Sequence, residues 1–229
     1  MTSSRATASQ QRILLFTKTT GYRHASIPEG VDLVQACARD NGVTVDHTEN
    51  ESAFNAPNLN RYDAVVWLQV SGDVLDGPGR SAFEAYLRAG GGYAGIHGAS
   101  VAERSWPSYE SIVGARFVFH PMDHQFQTAL VITELHDPST AHLPQSWTWL
   151  DEWYSFERNP RGESEILLRI DESSYDPEDQ PMGDDHPVSW RGRHGQGRTW
   201  YTALGHLAES YADPVFRNHI WGGITSVLR

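Results

Sequence analysis

The chain has 229 residues, enough for one large α/β domain or two small ones, with an ordinary 39% hydrophobic and 21% charged residues. Lys+Arg 18 against Asp+Glu 29 leaves a formal net charge of −11, which argues against nucleic acid and anionic membrane as partners, since both require a basic footprint. A single cysteine, Cys37, excludes an intrachain disulfide, and no run approaches the roughly 18 apolar residues of a membrane span, so a cytoplasmic location is the expectation.

Residues 1–11 are polar, without the apolar core of a signal peptide, and are expected to form a disordered tail. Residues 12–229 show no repeat and no linker, so one domain is expected there. Arg12–Phe16 reads as the first strand, followed by a polar loop to His24. Ser26-Ile-Pro-Glu29 has the pattern of a capping box with proline in the first turn. The helix it opens carries Val31, Val34, Cys37 and Ala38 at helical spacing and stops at Asn41-Gly42. Cys37 therefore reads as buried packing. Val43–Val45 is a second strand, and the apolar run Asp63–Leu68 a third, central and parallel. A helix over Arg80–Ala89 ends at Gly90, and a short strand runs into Ile96. This alternation is that of an open parallel sheet with helices on both faces.

The second half reads differently. Trp106–Val113 is a predicted helix. Phe126–Glu134 partly alternates, as an antiparallel or edge strand would, and Trp147–Phe156 is rich in aromatic and acidic residues. Glu165–Ile170 is a strand, and Ser173–His186 a long polar loop of the kind that is functional or disordered. Pro187–Trp190 and Arg198–Leu204 flank Gly195-Gln-Gly197 as a hairpin, and Asp213-Pro214 opens a C-terminal helix to Leu228.

The stretch Gly90-Gly-Gly-Tyr-Ala-Gly-Ile-His97-Gly-Ala-Ser100 has the frame of a nucleophile elbow, where a tight turn with small neighbours lifts one side chain above the sheet. The central residue here is histidine. His24, His97 and His206 each follow a predicted strand, and ligands of open α/β sheets bind beyond the carboxyl ends of the strands. The three are candidates both for acid–base catalysis and for holding a divalent metal such as zinc or manganese; spacing across loops leaves both roles open. Asp185 and His186, in the polar loop, are further catalytic candidates. Arg23, Glu152, Tyr154 and Trp190 are candidate substrate contacts, with Tyr154 and Trp190 expected in the pocket wall. Asp151-Glu152 reads equally as the solvated edge of a strand. His120-Pro-Met-Asp-His124 has i, i+4 metal spacing, but Pro121 disfavours a helix interior there. No phosphate-binding glycine loop is present.

Five segments, Phe16-Thr-Lys-Thr-Thr-Gly-Tyr-Arg-His24, Gly90-Gly-Gly-Tyr-Ala-Gly-Ile-His97, Asp151-Glu-Trp-Tyr154, Met182-Gly-Asp-Asp-His-Pro187 and Gly197-Arg-Thr-Trp-Tyr-Thr-Ala-Leu-Gly-His206, together resemble the ThuA-like (trehalose utilisation) family. The resemblance runs from about Arg12 to the C-terminus. It implies a flavodoxin-like three-layer α/β sandwich of the class I glutamine amidotransferase-like type: a mostly parallel central sheet with an antiparallel C-terminal extension. It also implies a role in disaccharide or glycoside use, often beside dehydrogenases that make 3-keto sugars. Amidotransferases need a cysteine at the elbow to form a thioester, and His97 stands there, so glutamine hydrolysis is not expected. The expectation is an enzyme acting on a keto-sugar or glycoside by histidine and carboxylate chemistry, with a divalent metal as an optional aid. The other reading is a non-catalytic sugar-binding or regulatory protein. A small sugar is the expected partner, and self-association stays open.

Overall fold

The computed structural model describes residues 10–229. Residues 1–9 of the expected tail lie outside the described residues. Gln10 and Gln11, also assigned to the tail, are tied down: their side-chain amides donate to the carbonyls of Gly42 (3.1 Å) and Arg229 (2.9 Å).

The N-terminal half alternates as its periodicity dictates. Strand β1 is Arg12–Phe16, helix α1 Ile27–Asp40, strand β2 Thr44–Thr48, the one-turn helix α2 Ala56–Leu59, strand β3 Ala64–Leu68, helix α3 Gly77–Arg88 and strand β4 Gly92–Ile96. Helix α1 carries Leu33, Val34, Cys37 and Ala38 on its buried face. Its start is a correction to the capping box. Ser26 adopts helical angles and makes no cap hydrogen bond; its hydroxyl instead donates to the Gly205 carbonyl (3.4 Å) and accepts from Gln69 (3.2 Å). Helix α3 begins three residues before the predicted Arg80, because Asp76 caps it by accepting from Gly79 N at 2.7 Å.

In the second half, Trp106–Val113 is not one helix. A turn over Pro107–Tyr109 gives way to the short helix α4, Glu110–Val113. Strands follow at β5 Phe117–Phe119, β6 Gln127–Thr133, β7 Ser146–Asp151, β8 Ser155–Phe156, β9 Glu165–Asp171, β10 His186–His194 and β11 Gly197–Thr202, before the C-terminal helix α5 Pro214–Val227. Asp213 caps α5 through Val215 N (2.7 Å). His186 therefore opens a strand and is not part of the polar loop.

Nine strands form one sheet in the order β2-β1-β3-β4-β11-β10-β9-β6-β7. From β2 to β11 all neighbours are parallel; from β11 to β7 all are antiparallel. The hairpin β10–β11 is thus the junction: β11 returns beside β4 in parallel register, Thr202 opposite Ile96. Helices cover both faces. Leu68 points to α1, where a Cβ on Gly30 would come within 2.7 Å of it, while its neighbour Trp67 stacks on Phe83 of α3 at 5.5 Å. Trp200 fills the space against α5 that only Gly223 leaves open, whereas Trp190, on the other face, donates to the Val113 carbonyl of α4 (2.8 Å). The pair β5–β8 forms a separate small sheet that brings the chain from β7 back over the carboxyl ends of the parallel strands.

Candidate active site

Strands β1, β4 and β11 are parallel, so the residues that follow them emerge at one end of the sheet. That end gathers His24, His97 and His206. Their rings lie 4.8–5.2 Å apart by centroid, edge to face. His97 is fully buried and takes a left-handed φ of +47°, a conformation that costs energy for any side chain and clusters at functional sites. The turn also needs its small neighbours: a Cβ on Gly98 would stand 3.2 Å from both the Gln69 backbone and the His24 ring.

Glu152 joins the three histidines from the segment between β7 and β8. Its Oε2 lies 3.0 Å from His206 Nδ1 and 3.4 Å from His97 Nε2, and those two nitrogens are 3.3 Å apart. With a nitrogen from His24, the four candidate donor atoms all fall within 4.8 Å of one another. Burial alone would raise the Glu152 carboxyl, but hydrogen bonds from His206 and Gln125 hold it well below the usual carboxylate range, so it is ionised. His24 is forced the other way: burial first, then the neighbouring His97 and His206, lower it to about 2.

Hydrogen-bond partners decide the tautomers. His97 Nδ1 lies 2.5 Å from the Ala203 carbonyl, which can only accept, so Nδ1 carries the proton and Nε2 offers a lone pair. The Tyr154 hydroxyl donates to that lone pair at 2.8 Å. Burial pushes the Tyr154 phenol well above its ordinary value, with Glu152 adding to it, so it remains a donor. His120 likewise gives its Nδ1 proton to the Pro121 carbonyl (2.9 Å), leaving its Nε2 lone pair 3.5 Å from Glu152 Oε1. The His97 lone pair is thus taken by the Tyr154 hydroxyl, and the His120 lone pair faces the Glu152 carboxylate. His24 Nδ1 is buried with no protein partner at all.

A supporting layer fixes these groups. Asp151 accepts from the backbone N–H groups of Gly205 (2.8 Å), His206 (3.0 Å) and Glu152 (2.9 Å), pinning both carboxylate and histidine. Gln69, buried at the end of β3 with φ +56°, donates to the Gly205 carbonyl (2.6 Å) and accepts from Gly98 N (3.2 Å), tying two histidine turns together. Gln125 donates to Glu152 Oε1 at 2.6 Å. Gln69 and Gln125 carried no spacing that marked them as site residues, and Asp151, read equally as part of a solvated strand edge, is fully buried. The only signal was the His120–His124 pair, of which His120 alone reaches the cavity; the His124 backbone goes to Glu178.

The other candidates fall elsewhere. Tyr154 lines the cavity as expected, but Trp190 does not: it is buried against Phe156 and Tyr201 in the core. Arg23 is exposed and paired with Glu49 (2.7 Å). Asp185 is held by Arg161 (2.6 Å) and Asn159 (2.8 Å). His186 is buried beside the cluster, between Glu172 (3.0 Å) and the Tyr154 carbonyl (2.8 Å), where it steadies the Tyr154 backbone.

The cavity over the histidines is about 130 Å³, walled by Tyr22, His24, Phe117, His120, Gln125, Glu152, Tyr154 and His206 among others. A larger groove of about 770 Å³ lies at the opposite end of the sheet, along Arg161, Arg191, Arg193 and Arg198. Arg161 and Arg191 there are already paired with acidic neighbours, and it holds none of the histidines.

These features define a flavodoxin-like α/β protein with a buried histidine–carboxylate site at the carboxyl end of its parallel strands. The chain belongs to the ThuA family, described as trehalose utilisation, whose profile matches residues 12–226. Membership implies a carbohydrate-related role. Solved structures share the fold. A ThuA-like protein from Bacteroides uniformis is 22% identical, with a TM-score of 0.79 over 95% of this chain and 91% of that one. A ThuA-like protein from Parabacteroides merdae is 19% identical, with a TM-score of 0.75 over 95% and 90%. A cytoplasmic protein from Salmonella typhimurium is 13% identical, with a TM-score of 0.61 over 95% and 99%. No curated protein matches the chain. Among the described residues, no helix is long and apolar enough to cross a membrane.

Proposed function

We propose that the protein is an enzyme that acts on a 3-keto-disaccharide or 3-keto-glycoside by histidine and carboxylate acid–base chemistry, aided by a divalent cation, zinc or manganese. The observation that carries this is the cluster itself: one donor atom each from His24, His97, His206 and Glu152, all within 4.8 Å of one another at a buried strand end. The separations of 3.0, 3.3 and 3.4 Å among His97, His206 and Glu152 fit three ligands of such an ion, with the His24 donor within 4.8 Å of them. Ligand atoms about 2.0–2.1 Å from a tetrahedral zinc stand roughly 3.3–3.4 Å apart. Three histidines and one carboxylate suit either ion. His97 is also oriented as ligand histidines are, its other nitrogen bound to a backbone carbonyl. When bound, such a cation would polarise a ketone oxygen of the sugar.

The chain's own residues then divide the work. His24, His97, His206 and Glu152 would hold the cation, and Asp151 and Gln69 keep these side chains in place. His120, with its Nε2 lone pair toward the cavity, takes the proton from the carbon next to the ketone. The released electron pair forms a C=C bond and expels the glycosidic oxygen one carbon further on, and that oxygen recovers the proton from His120. The wall of Phe117 and Tyr154 keeps bulk water off this exchange. Glutamine hydrolysis is not part of the proposal: the elbow carries His97, and the only thiol, Cys37, is packed into α1.

Turnover of 3-keto-trehalose and 3-keto-glucosides, followed by NMR of the products with and without chelator, tests this reading. Turnover lost with chelator and restored by zinc or manganese is the expected result. Turnover unaffected in metal-stripped protein would remove the cation, and none under any metal would leave a sugar-binding protein.

A further inference from the structure

The cavity is small for the substrates proposed. About 130 Å³ lies well below the roughly 300–1,000 Å³ of pockets that enclose drug-sized ligands. One sugar ring occupies it; the group across the glycosidic bond must lie at the mouth. The mouth is apolar. Of the seven large apolar side chains exposed among the described residues, Tyr22 (63% exposed) and Phe126 (41%) stand here beside His206, and Met122 (69%) is two residues from the wall residue His120. Tyr22 and Phe126 both lean on His206, at 6.3 and 5.0 Å between ring centroids. Met122 belongs to the segment whose His120 and Gln125 form the cavity wall. Scattered exposed apolar residues are ordinary, but a group of them at the rim of a polar cavity marks a contact surface.

This rim is built and not a loose loop tip. The Glu178 carboxylate accepts from three successive backbone N–H groups, Met122 (2.8 Å), Asp123 (2.9 Å) and His124 (3.2 Å). Glu178 itself holds a left-handed φ of +53° to do so. Apart from the Tyr22 hydroxyl, the three rim side chains offer no hydrogen-bonding groups. A second sugar would keep its hydroxyls in water and bury little apolar area against them, whereas an aromatic ring gains edge-to-face and sulfur–aromatic contacts.

We infer that Tyr22, Met122 and Phe126 form an aglycone subsite, and that the substrate class is glycosides with an apolar, aromatic aglycone in preference to disaccharides. This rests on the reading that the inner cavity takes the sugar ring. The test is calorimetric binding of three probes to the purified protein: methyl 3-keto-glucoside, phenyl 3-keto-glucoside and 3-keto-trehalose. Phenol alone is the control. The phenyl glycoside should bind about fivefold tighter than the methyl glycoside, or about 1 kcal/mol, from aromatic pairing. Phe126→Ala and Met122→Ala should each erase much of that advantage while leaving methyl glycoside affinity unchanged, and Phe126→Tyr should keep it. All three side chains are exposed, so the variants should fold, which circular dichroism confirms. Equal binding of methyl and phenyl glycosides, or tightest binding of 3-keto-trehalose, overturns the subsite and leaves the sugar reading standing. Phenol binding as tightly as its glycoside shows a mere apolar patch and overturns it too. Failure of all three sugars to bind removes the sugar reading, and the subsite with it.

Discussion

In the groove that reaches the amino end of β11, Arg191 pairs with Glu165, and Arg161 reaches out of it to Asp185 and Glu134, each arginine about 40% exposed. At the carboxyl end of the same strand, His206 meets Glu152, His97 and His24 with almost no exposure. The first end solves its electrostatics locally: every carboxylate that meets a guanidinium is matched, water screens the rest, and the pairs are worth little individually. The second end gathers three histidines and a carboxylate in a buried cavity, where an unmatched charge costs far more than at the surface. The difference separates charge screened by water from charge gathered out of water, although the arginine groove is much the larger.

The largest effect should come from His97→Ala. Turnover should fall by about a thousandfold or more with the fold intact, and adding His24→Ala should cost little further, because residues that act as a unit are not additive. Kinetics on the single and double variants, with metal content by mass spectrometry, checks this; near-native turnover would break the contrast at its centre.

His219 sharpens it as a buried histidine of the opposite kind. Both ring nitrogens are satisfied, by the Ser139 carbonyl (2.9 Å) and Thr202 Oγ1 (3.0 Å), and burial lowers it to about 4. The unfolded chain, with an ordinary value near 6.5, binds the proton first. Stability from this group is therefore complete above about pH 6.5 and lost as pH falls toward 4, by on the order of 3 kcal/mol. Urea unfolding at pH 7 and pH 4.5 should show a slope that His219→Gln flattens, with metal content unchanged.

Tyr154→Phe should lower turnover roughly ten- to a hundredfold and leave metal content unchanged, because the hydroxyl contacts His97 without being a necessary ligand. Loss of the metal in this variant would make Tyr154 part of the ion site. Cys37→Ala should cost about 1 kcal/mol of stability and no activity, as a small buried side chain on α1; selective loss of turnover would show the thiol has a chemical part. Smallest of all, Arg161→Met at the other end should shift stability by less than about 1 kcal/mol and leave kinetics alone. A kinetic effect there would mean the two ends are not independent.

Several elements were legible before any coordinates. Arg12–Phe16 and the apolar run ending at Leu68 alternate with amphipathic helices, and short-range periodicity alone requires strands and helices there. His24, His97 and His206 could be placed on one rim because each follows a strand and parallel strands end on the same side. Trp190 misled: a tryptophan beside a polar loop looks like a pocket wall, but its strand position turns it into the core, and the one-residue alternation of a strand flips that choice. Asp185 and Arg23 lie in loops within the motifs, but ion pairs with Arg161 and Glu49 take them up.

Glu152, His120, Gln125 and Asp151 come from the antiparallel half, where connections cross the sheet end instead of following a repeating unit. Their meeting point depends on β7 standing at the far edge and on the short β5–β8 pair carrying the chain back over the histidines. The order of residues by itself determined a parallel α/β sheet, a histidine elbow and three histidines at strand ends, because those follow from local periodicity and the handedness of strand–helix units. Only the tertiary structure decided that one carboxylate would stand among them with the lone pairs turned inward, since that depends on contacts between residues such as His97 and Glu152, far apart in the chain and fixed by long-range packing.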